Sequence, residues 1–231
     1  MREARAAWRR VMRPGESERG LTLVELMVSM MIFAGLLGIV FSVLVTVSQQ
    51  TKDNLARTRS ADQARIGLMQ IDRQVRSGNV ISDPAGESLA SAGVPANYSL
   101  RVYTQTDGSY QCVQWRVRYP AGTDRGLLEF RSWRPSWQVT GGVEAWRVVA
   151  RDVVRPTGTF DPDDNTTWPP FFVEARAGSA GSEAQTIRVT LRLKDANQSA
   201  RSAPTTVTSV LTGRNTVFGY PADSCGTVPA P

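Results

Sequence analysis

The feature that most limits how this chain can fold is an unbroken apolar segment near its N-terminus. From Leu21 to Val47, Glu25 is the only ionisable side chain, and there is no proline. A helix needs about 20 predominantly apolar residues to cross a bilayer. Residues 21–47 therefore predict a transmembrane helix. A carboxylate inside it is expected to be functional, because its insertion costs about 2.5–3.5 kcal/mol.

The charges on either side of this segment predict its orientation. Residues 1–20 carry six Arg and three Glu, whereas basic residues are sparser after the segment, where Asp53 interrupts them. Under the positive-inside rule the N-terminus is cytoplasmic and the C-terminal part lies outside. A secretory signal would place a small-residue cleavage site after the apolar run, but Ser48, Gln49 and Gln50 follow it instead.

The helix is expected to continue as an amphipathic segment over residues 48–78. Apolar residues recur there at spacings of three and four, namely Ala61, Ala64, Leu68, Ile71 and Val75. This spacing places one apolar stripe along a helix, and Ser77-Gly78-Asn79 supplies a stop signal. A single helix from residue 21 to about residue 76 would be about 85 Å long.

The hydrophobic period changes to two within residues 79–231. Apolar and polar residues alternate from Val113 to Tyr119 and from Ile187 to Leu193. Shorter strand candidates are residues 99–105, 127–133, 145–154, 171–176 and 205–211. Alternation indicates an antiparallel sheet with one buried face, for which the apolar stripe of the helix is the natural partner. The predicted fold is α+β, with a long N-terminal α-helix packed on an extracytoplasmic β-rich domain.

Residues that support common catalytic chemistry are scarce. The chain has no histidine, which excludes His-based triads and His metal sites. We find no nucleophile–base pair and no phosphate loop, so the chain is not expected to be an enzyme. Cys112 and Cys225 lack CxxC spacing and make a poor metal site. In an exported domain they can form a disulfide, and two buried free thiols are the alternative.

A second pattern overlaps the start of the apolar run. It reads Gly20-Leu21-Thr22-Leu23-Val24-Glu25-Leu26 and follows the Arg-rich residues 1–20. It resembles the type IV prepilin signature, in which a glycine ends the leader and a glutamate is the fifth residue of the mature chain. The resemblance implies cleavage between Gly20 and Leu21 by a membrane-embedded aspartic peptidase, which then N-methylates Leu21. The family usually has phenylalanine where this chain has Leu21.

The resemblance also implies a role for Glu25 in assembly. In the family this glutamate compensates the new N-terminal charge of a neighbouring subunit and sets the axial register of the filament. Residues 21–47 would then be the polymerisation helix. The alternative interpretation is an interfacial glutamate near the end of an ordinary signal anchor, where its side chain reaches the headgroups.

Two weaker patterns each have two interpretations. One loop gathers the oxygen-bearing side chains Asp161, Asp163, Asp164 and Asn165. Calcium prefers such ligands and is the one cofactor considered, but the EF-hand glycine and distal glutamate are missing, which favours a solvated turn. The strands also interleave basic and aromatic residues, namely Arg116, Arg118, Arg131, Arg134, Arg147, Arg151, Trp115, Trp133 and Trp146. Such a set can bind single-stranded DNA, although a solvated basic face opposite an apolar core is favoured.

These patterns together predict a minor pilin or minor pseudopilin that primes or caps a type IV pilus or a type II secretion pseudopilus. Residues 68–76 and 210–215 loosely resemble the helix end and closing strand of J-type pseudopilins. The alternatives are a DNA-uptake (competence) pseudopilin, with nucleic acid as a partner, and a single-pass anchored binding ectodomain that does not polymerise. The expected partners are other pilins or pseudopilins through the N-terminal helix, the prepilin peptidase, the inner-membrane assembly platform and, before assembly, the lipid bilayer. The expected location is the cytoplasmic (inner) membrane and then a cell-surface or periplasmic filament.

Overall fold

The structure, a computed structural model, describes residues 20, 22–175, 186–216, 219–221 and 223–230. The predicted leader up to residue 19 and Leu21 lie outside the described residues. The elements in chain order are α1 Leu23–Arg76, β1 Gly78–Ile81, a 3-10 turn Ala90–Ala92, β2 Ser99–Thr106, β3 Ser109–Arg118, β4 Arg125–Trp133, α2 Trp137–Thr140, β5 Arg147–Val154, β6 Phe171–Ala175, β7 Thr186–Leu193 and β8 Thr205–Thr212. The chain divides into two compact units, Met1–Gln49 and Gln50–Pro231.

The first unit contains the beginning of α1. Every described residue of this unit is exposed, including eighteen large hydrophobic side chains between Leu23 and Val47. By length and composition α1 can cross a membrane, and it is the single such helix among the described residues. The apolar run thus forms the helix that the sequence predicts.

In the second unit, the rest of α1 packs on the sheet through one face. Its buried residues are Ala56, Ser60, Ala64, Gly67, Ile71 and Val75. The predicted stripe omits Ser60 and Gly67, which are buried, and includes Ala61, which is only half-buried. Leu68 is half-buried and packs against the core as predicted. A Cβ at Gly67 would lie 2.8 Å from the Leu128 Cδ2 atom. Small residues therefore mark the closest approach of helix and sheet.

Hydrogen bonds also fasten this part of α1 to the loops of the sheet. The Asp53 carboxylate accepts bonds from the Ser199 N–H at 2.7 Å and the Ser202 hydroxyl at 2.6 Å. The Ser60 hydroxyl oxygen accepts a bond from the Asp195 N–H at 3.0 Å. Polar side chains of α1 thus hold the β7–β8 connection beside the helix.

All the strand pairs are antiparallel, in the order β1-β2-β3-β4-β5-β7-β6, with β8 also paired to β7. Strand β7 pairs with β8 along its whole length, from Thr186↔Thr212 to Leu193↔Thr205. The apolar residues of β7 and of β2 to β4 join the helix stripe in one core. This arrangement confirms the predicted α+β architecture.

Every strand predicted from the sequence is present, and the structure adds β1 directly after the helix. The sequence predicts that Gly78 belongs to the signal that ends the helix. The helix does end before it, at Arg76, and Gly78 is the first residue of β1. A Cβ there would lie 2.8 Å from Val102 Cγ1 and 3.0 Å from the Val75 carbonyl oxygen. Glycine thus permits the chain to pass from helix to strand without an intervening loop.

Candidate functional site

The beginning of α1 is built by Thr22, which caps the helix. The Glu25 N–H donates to Thr22 Oγ1 at 3.2 Å, and the Leu26 N–H donates to the Thr22 carbonyl at 3.1 Å. A Thr that binds the third N–H of a helix satisfies one of the four free donors at that end. Glu25 therefore occupies the first turn, three residues after the cap.

This position gives the Glu25 carboxylate a favourable field. The helix dipole places partial positive charge at the N-terminus, where an anion gains about 0.3–1 kcal/mol. The Glu25 side chain is exposed and forms no ion pair with a described residue. Its predicted partner, the mature N-terminus at Leu21, lies outside the described residues.

Gly20 is exposed and has open surroundings. A Cβ built there meets no heavy atom within 4 Å among the described residues. The described fold therefore does not require glycine at this position. A requirement for glycine would instead come from whatever recognises the extended backbone before the helix.

On the sheet face opposite the helix, the two cysteines join the C-terminal residues to β3. Cys112 and Cys225 form a disulfide, so of the two interpretations of these thiols the structure contains the bridge. We call residues 219–221 and 223–230 the C-terminal strap. The bridge packs with Trp133 and the half-buried Tyr103, Trp137 and Val228.

Arginines bind the carbonyl oxygens of this strap. The Arg101 guanidinium donates to the Cys225 carbonyl at 2.5 Å. Arg131 donates to the Pro229 carbonyl at 2.9 Å and to the Ala230 carbonyl at 2.6 Å. The strap therefore covers a row of arginine side chains on the outer face of the sheet.

The sequence favours a solvated face for the arginines that alternate with aromatic residues on the strands. This interpretation is wrong for Arg116 and Arg131. Arg116 and Arg131 are 5% and 2% exposed, and both guanidinium groups lie over the Trp146 ring, at 3.7 and 4.3 Å from its centroid. Arg116 and Arg118 both pair with Glu129, at 2.7 and 3.0 Å. These contacts leave neither buried arginine open to a nucleic-acid strand.

The remaining members of that predicted set are divided between different surroundings. Trp115 belongs to the core beneath the helix, and Trp133 packs beside the disulfide. Arg134, Arg147 and Arg151 are exposed. The structure therefore brings Arg116, Arg118, Arg131, Trp133 and Trp146 together on the outer face, but it does not join the whole predicted set in one surface.

Burial changes the pKa values of charged side chains on the outer face of the sheet. Burial lowers the pKa of the Arg131 guanidinium to about 10, and the nearby charge of Arg116 adds to the effect. Burial alone would raise the pKa of the Glu129 carboxyl, but hydrogen bonds from Arg118 and Arg116 hold it below its ordinary value. Glu129 is therefore ionised at neutral pH and balances the charges of Arg116 and Arg118.

The calcium candidates stabilise their own loop. Asp161 Oδ1 accepts a bond from the Asp163 N–H at 2.9 Å, and Asp164 Oδ1 accepts one from the Thr166 N–H at 2.8 Å. The Thr166 bonds lower the pKa of Asp164. Asn165 belongs to the same turn region. Within the described residues no group of three or more His, Cys, Asp or Glu side chains is arranged to hold a metal ion, and we assign none here.

Sequence reasoning missed two features of these sites. The Thr22-x-x-Glu25 spacing is a capping-box pattern, and it would have placed the start of the helix at Leu23. The strap has no comparable signal, because Pro229 and Ala230 contribute backbone carbonyls alone. No family model, curated protein or solved structure matches this chain.

Proposed function

We propose that this chain is a minor pilin or minor pseudopilin, a filament subunit made as a precursor and cleaved between Gly20 and Leu21. The observation that carries the proposal is the start of α1. A capped helix places Glu25 in its first turn, and this helix begins three residues after Gly20, a glycine that the described fold does not need. An exposed apolar segment follows and requires a cover of lipid or of other helices.

The energetics of Glu25 favour a cation close to its carboxylate, which assembly can supply. The helix dipole contributes about 0.3–1 kcal/mol, which is less than the roughly 2.5–3.5 kcal/mol that a carboxylate costs deep in a bilayer helix. The difference favours an additional cation near Glu25. Cleavage after Gly20 creates an ammonium at Leu21, and a neighbouring subunit can present this group to Glu25.

The disulfide supports an outer location for the C-terminal domain. Such bonds persist in oxidising compartments outside the cytosol, and the bond between Cys112 and Cys225 lies in the domain that follows α1. We propose that the chain first spans the cytoplasmic membrane with its N-terminus inside. It then leaves the bilayer for a pilus or pseudopilus.

The size of the C-terminal domain supports a minor subunit. The described residues from Gly78 onward hold eight strands with long connections, including residues 155–170 between β5 and β6. A large domain is harder to repeat at close axial spacing than to place once at the tip of a filament. We expect few copies per filament, which quantitative mass spectrometry of sheared filaments will measure. A copy number near that of the most abundant subunit would contradict the minor role.

Processing is tested by intact-mass analysis of the full chain from cells with and without the prepilin peptidase. We expect residues 1–20 to be lost when the peptidase is present, leaving Leu21 as an N-methylated terminus. A mature protein that keeps its Arg-rich leader in those cells would overturn the proposal.

Assembly is tested by Glu25→Leu, with Ser42→Ala as a matched control on the same exposed helix. We expect the Glu25 variant to be inserted and cleaved but absent from filaments, whereas the control is incorporated. If both variants assemble equally, the chain does not use Glu25 for its register. If the wild-type chain itself is absent from filaments, a signal-anchored ectodomain becomes the better interpretation.

A further inference from the structure

A groove runs between the last turns of α1 and the sheet, within the second unit. Its deeper part is a cavity of about 420 Å³. Its shallower part, about 470 Å³, shares Arg73 and Gln74 with the first, reaches Ser77 and Thr106, and is also lined by the acidic Asp107. We call the two together the helix–sheet groove.

The floor of the deeper part is aromatic, and two apolar side chains line it on the helix side. The rings of Trp115 and Phe130 lie 4.7 Å apart between centroids and form the floor. Ile66 and Met69 line the helix side and are 46% and 63% exposed. Large apolar side chains so exposed beside an aromatic floor indicate a surface that gains from being covered.

The charges that line the deeper part have one sign. Arg73 lies on the helix side and Arg147 on the sheet side, and no described residue that lines this part is acidic. Arg147 lies over the Phe130 ring, with its guanidinium carbon 5.5 Å from the centroid. Neither arginine forms an ion pair with a described carboxylate, in contrast to Arg76 and Arg101, which pair with Asp72 and Glu87.

We propose that the helix–sheet groove binds an extended, acidic segment of a partner protein, with one large apolar side chain on the aromatic floor and a carboxylate between Arg73 and Arg147. The groove follows α1 from Ile66 to Ser77, a rise of about 16 Å along a helix. An extended chain covers that distance with about five residues. This proposal does not depend on filament assembly, since an anchored ectodomain would present the same groove.

The test measures fluorescence anisotropy of labelled five-residue peptides, with capped ends, against the full chain in non-ionic detergent. One peptide holds a tryptophan and two aspartates, and its matched control holds two lysines in their place. Micelles without protein correct for partitioning of the tryptophan. We expect the aspartate peptide to bind at least about tenfold more tightly, because like charges in the groove oppose the lysines.

Charge reversal then locates the binding site. Arg147→Glu should weaken the aspartate peptide about tenfold and reverse the preference between the two peptides. Arg151→Glu is the matched control, because Arg151 is exposed on the same strand but does not line the groove. It should leave both affinities within about twofold, as expected for a screened surface charge.

Three outcomes would overturn the proposal: no binding, equal binding of both peptides, or equal losses in the two variants. Sedimentation measurements of self-association provide a fourth such outcome. If the chain self-associates and Arg147→Glu abolishes that association, the occupant is a second copy and not a different protein. Neither filaments nor the peptidase enter these measurements, so their result is separate from that of the proposed function.

Discussion

The disulfide between Cys112 and Cys225 gives a prediction whose size follows from the topology. The perturbation is the double variant Cys112→Ser/Cys225→Ser, which keeps both side chains small. The bond joins residues 113 positions apart in sequence, so in the unfolded chain it closes most of the sheet into one loop. Its removal therefore changes the unfolded state more than the folded one.

The magnitude follows from loop entropy and from the contacts of the strap. Closing a loop of about one hundred residues is worth about 4.7 kcal/mol at 25 °C in the chain-entropy model. Without the bridge, Arg101 and Arg131 still hold the carbonyls of Cys225, Pro229 and Ala230, and a bond to a charged donor contributes about 1.5–3 kcal/mol. The strap should therefore remain docked, and we expect a loss of about 4 kcal/mol, within the usual 2–5 kcal/mol range.

The assay is guanidinium unfolding of the full chain in detergent, followed by near-ultraviolet circular dichroism of the domain. Wild type with reductant should match the double variant without it, and reductant should not change the variant further. Hydrogen exchange of the strap separates the two contributions. A docked strap stays protected, whereas a released strap exchanges quickly and the global loss is smaller.

A free energy of unfolding of the double variant within about 0.5 kcal/mol of the wild-type value, a difference typical of an inconsequential surface change, would contradict the prediction. So would two alkylatable thiols in protein recovered from outside the cytoplasm. The first result would show that the unfolded chain gains no freedom from cleavage of the bond. The second would show that the bond does not form in the cell.

Two further predictions concern carboxylates with lowered pKa values. Glu129→Gln should destabilise the domain by about 3–5 kcal/mol at pH 7, because Arg116 is left buried without its anion. The pKa of Glu129 in the folded protein lies below its ordinary value of 4.5. The stabilisation that ionised Glu129 gives the fold is therefore present above pH 4.5 and should vanish as the pH falls through the folded pKa. Free energies of unfolding measured at about pH 7 and about pH 3 check the direction of this change. Asp53→Ala should speed amide exchange at Ser199, whose N–H it accepts, whereas Asp62→Ala should not. The hydrogen bond from the Ser202 hydroxyl lowers the pKa of Asp53. In wild type the protection factor of the Ser199 amide, which corrects for the intrinsic pH dependence of exchange, should therefore fall as the pH falls through that pKa. Equal protection of this amide in both variants would contradict the contact.

The strands and the helix could be predicted because their side-chain periods differ. The alternation from Ile187 to Leu193 predicts which face of β7 joins the core, and the structure buries all its apolar positions. The polar positions Arg188, Thr190 and Arg192 on the other face are buried as well, which the alternation does not predict. The stripe of α1 was predicted less well, because hydrophobicity does not reveal where a backbone approaches closely. Gly67 and Ser60 occupy those points, and neither contributes an apolar side chain that a pattern search would count.

The outer face was predicted least well, for a different physical reason. Arg116 and Arg131 alternate with apolar neighbours, which normally indicates a face in water. Both are buried because Trp146 and the C-terminal strap cover them, and this cover comes from segments distant in sequence. The hydrophobic period of a strand carries no information on whether a later part of the chain packs over the sheet.

The two halves of α1 differ in burial, so we expect substitutions in them to affect folding differently. Its second half supplies Ala64, Ile71 and Val75 to the core of the domain, so substitutions there should unfold the sheet. Its first half contributes no buried residue to the described structure, so Glu25 and its neighbours are free to meet lipid or other subunits without cost to the domain. A subunit that moves from membrane to filament requires this property, because its apolar segment exchanges one cover for another while the domain stays folded. The buried contacts of α1, which begin at Ala56, therefore support the proposal that the exposed segment before them serves assembly.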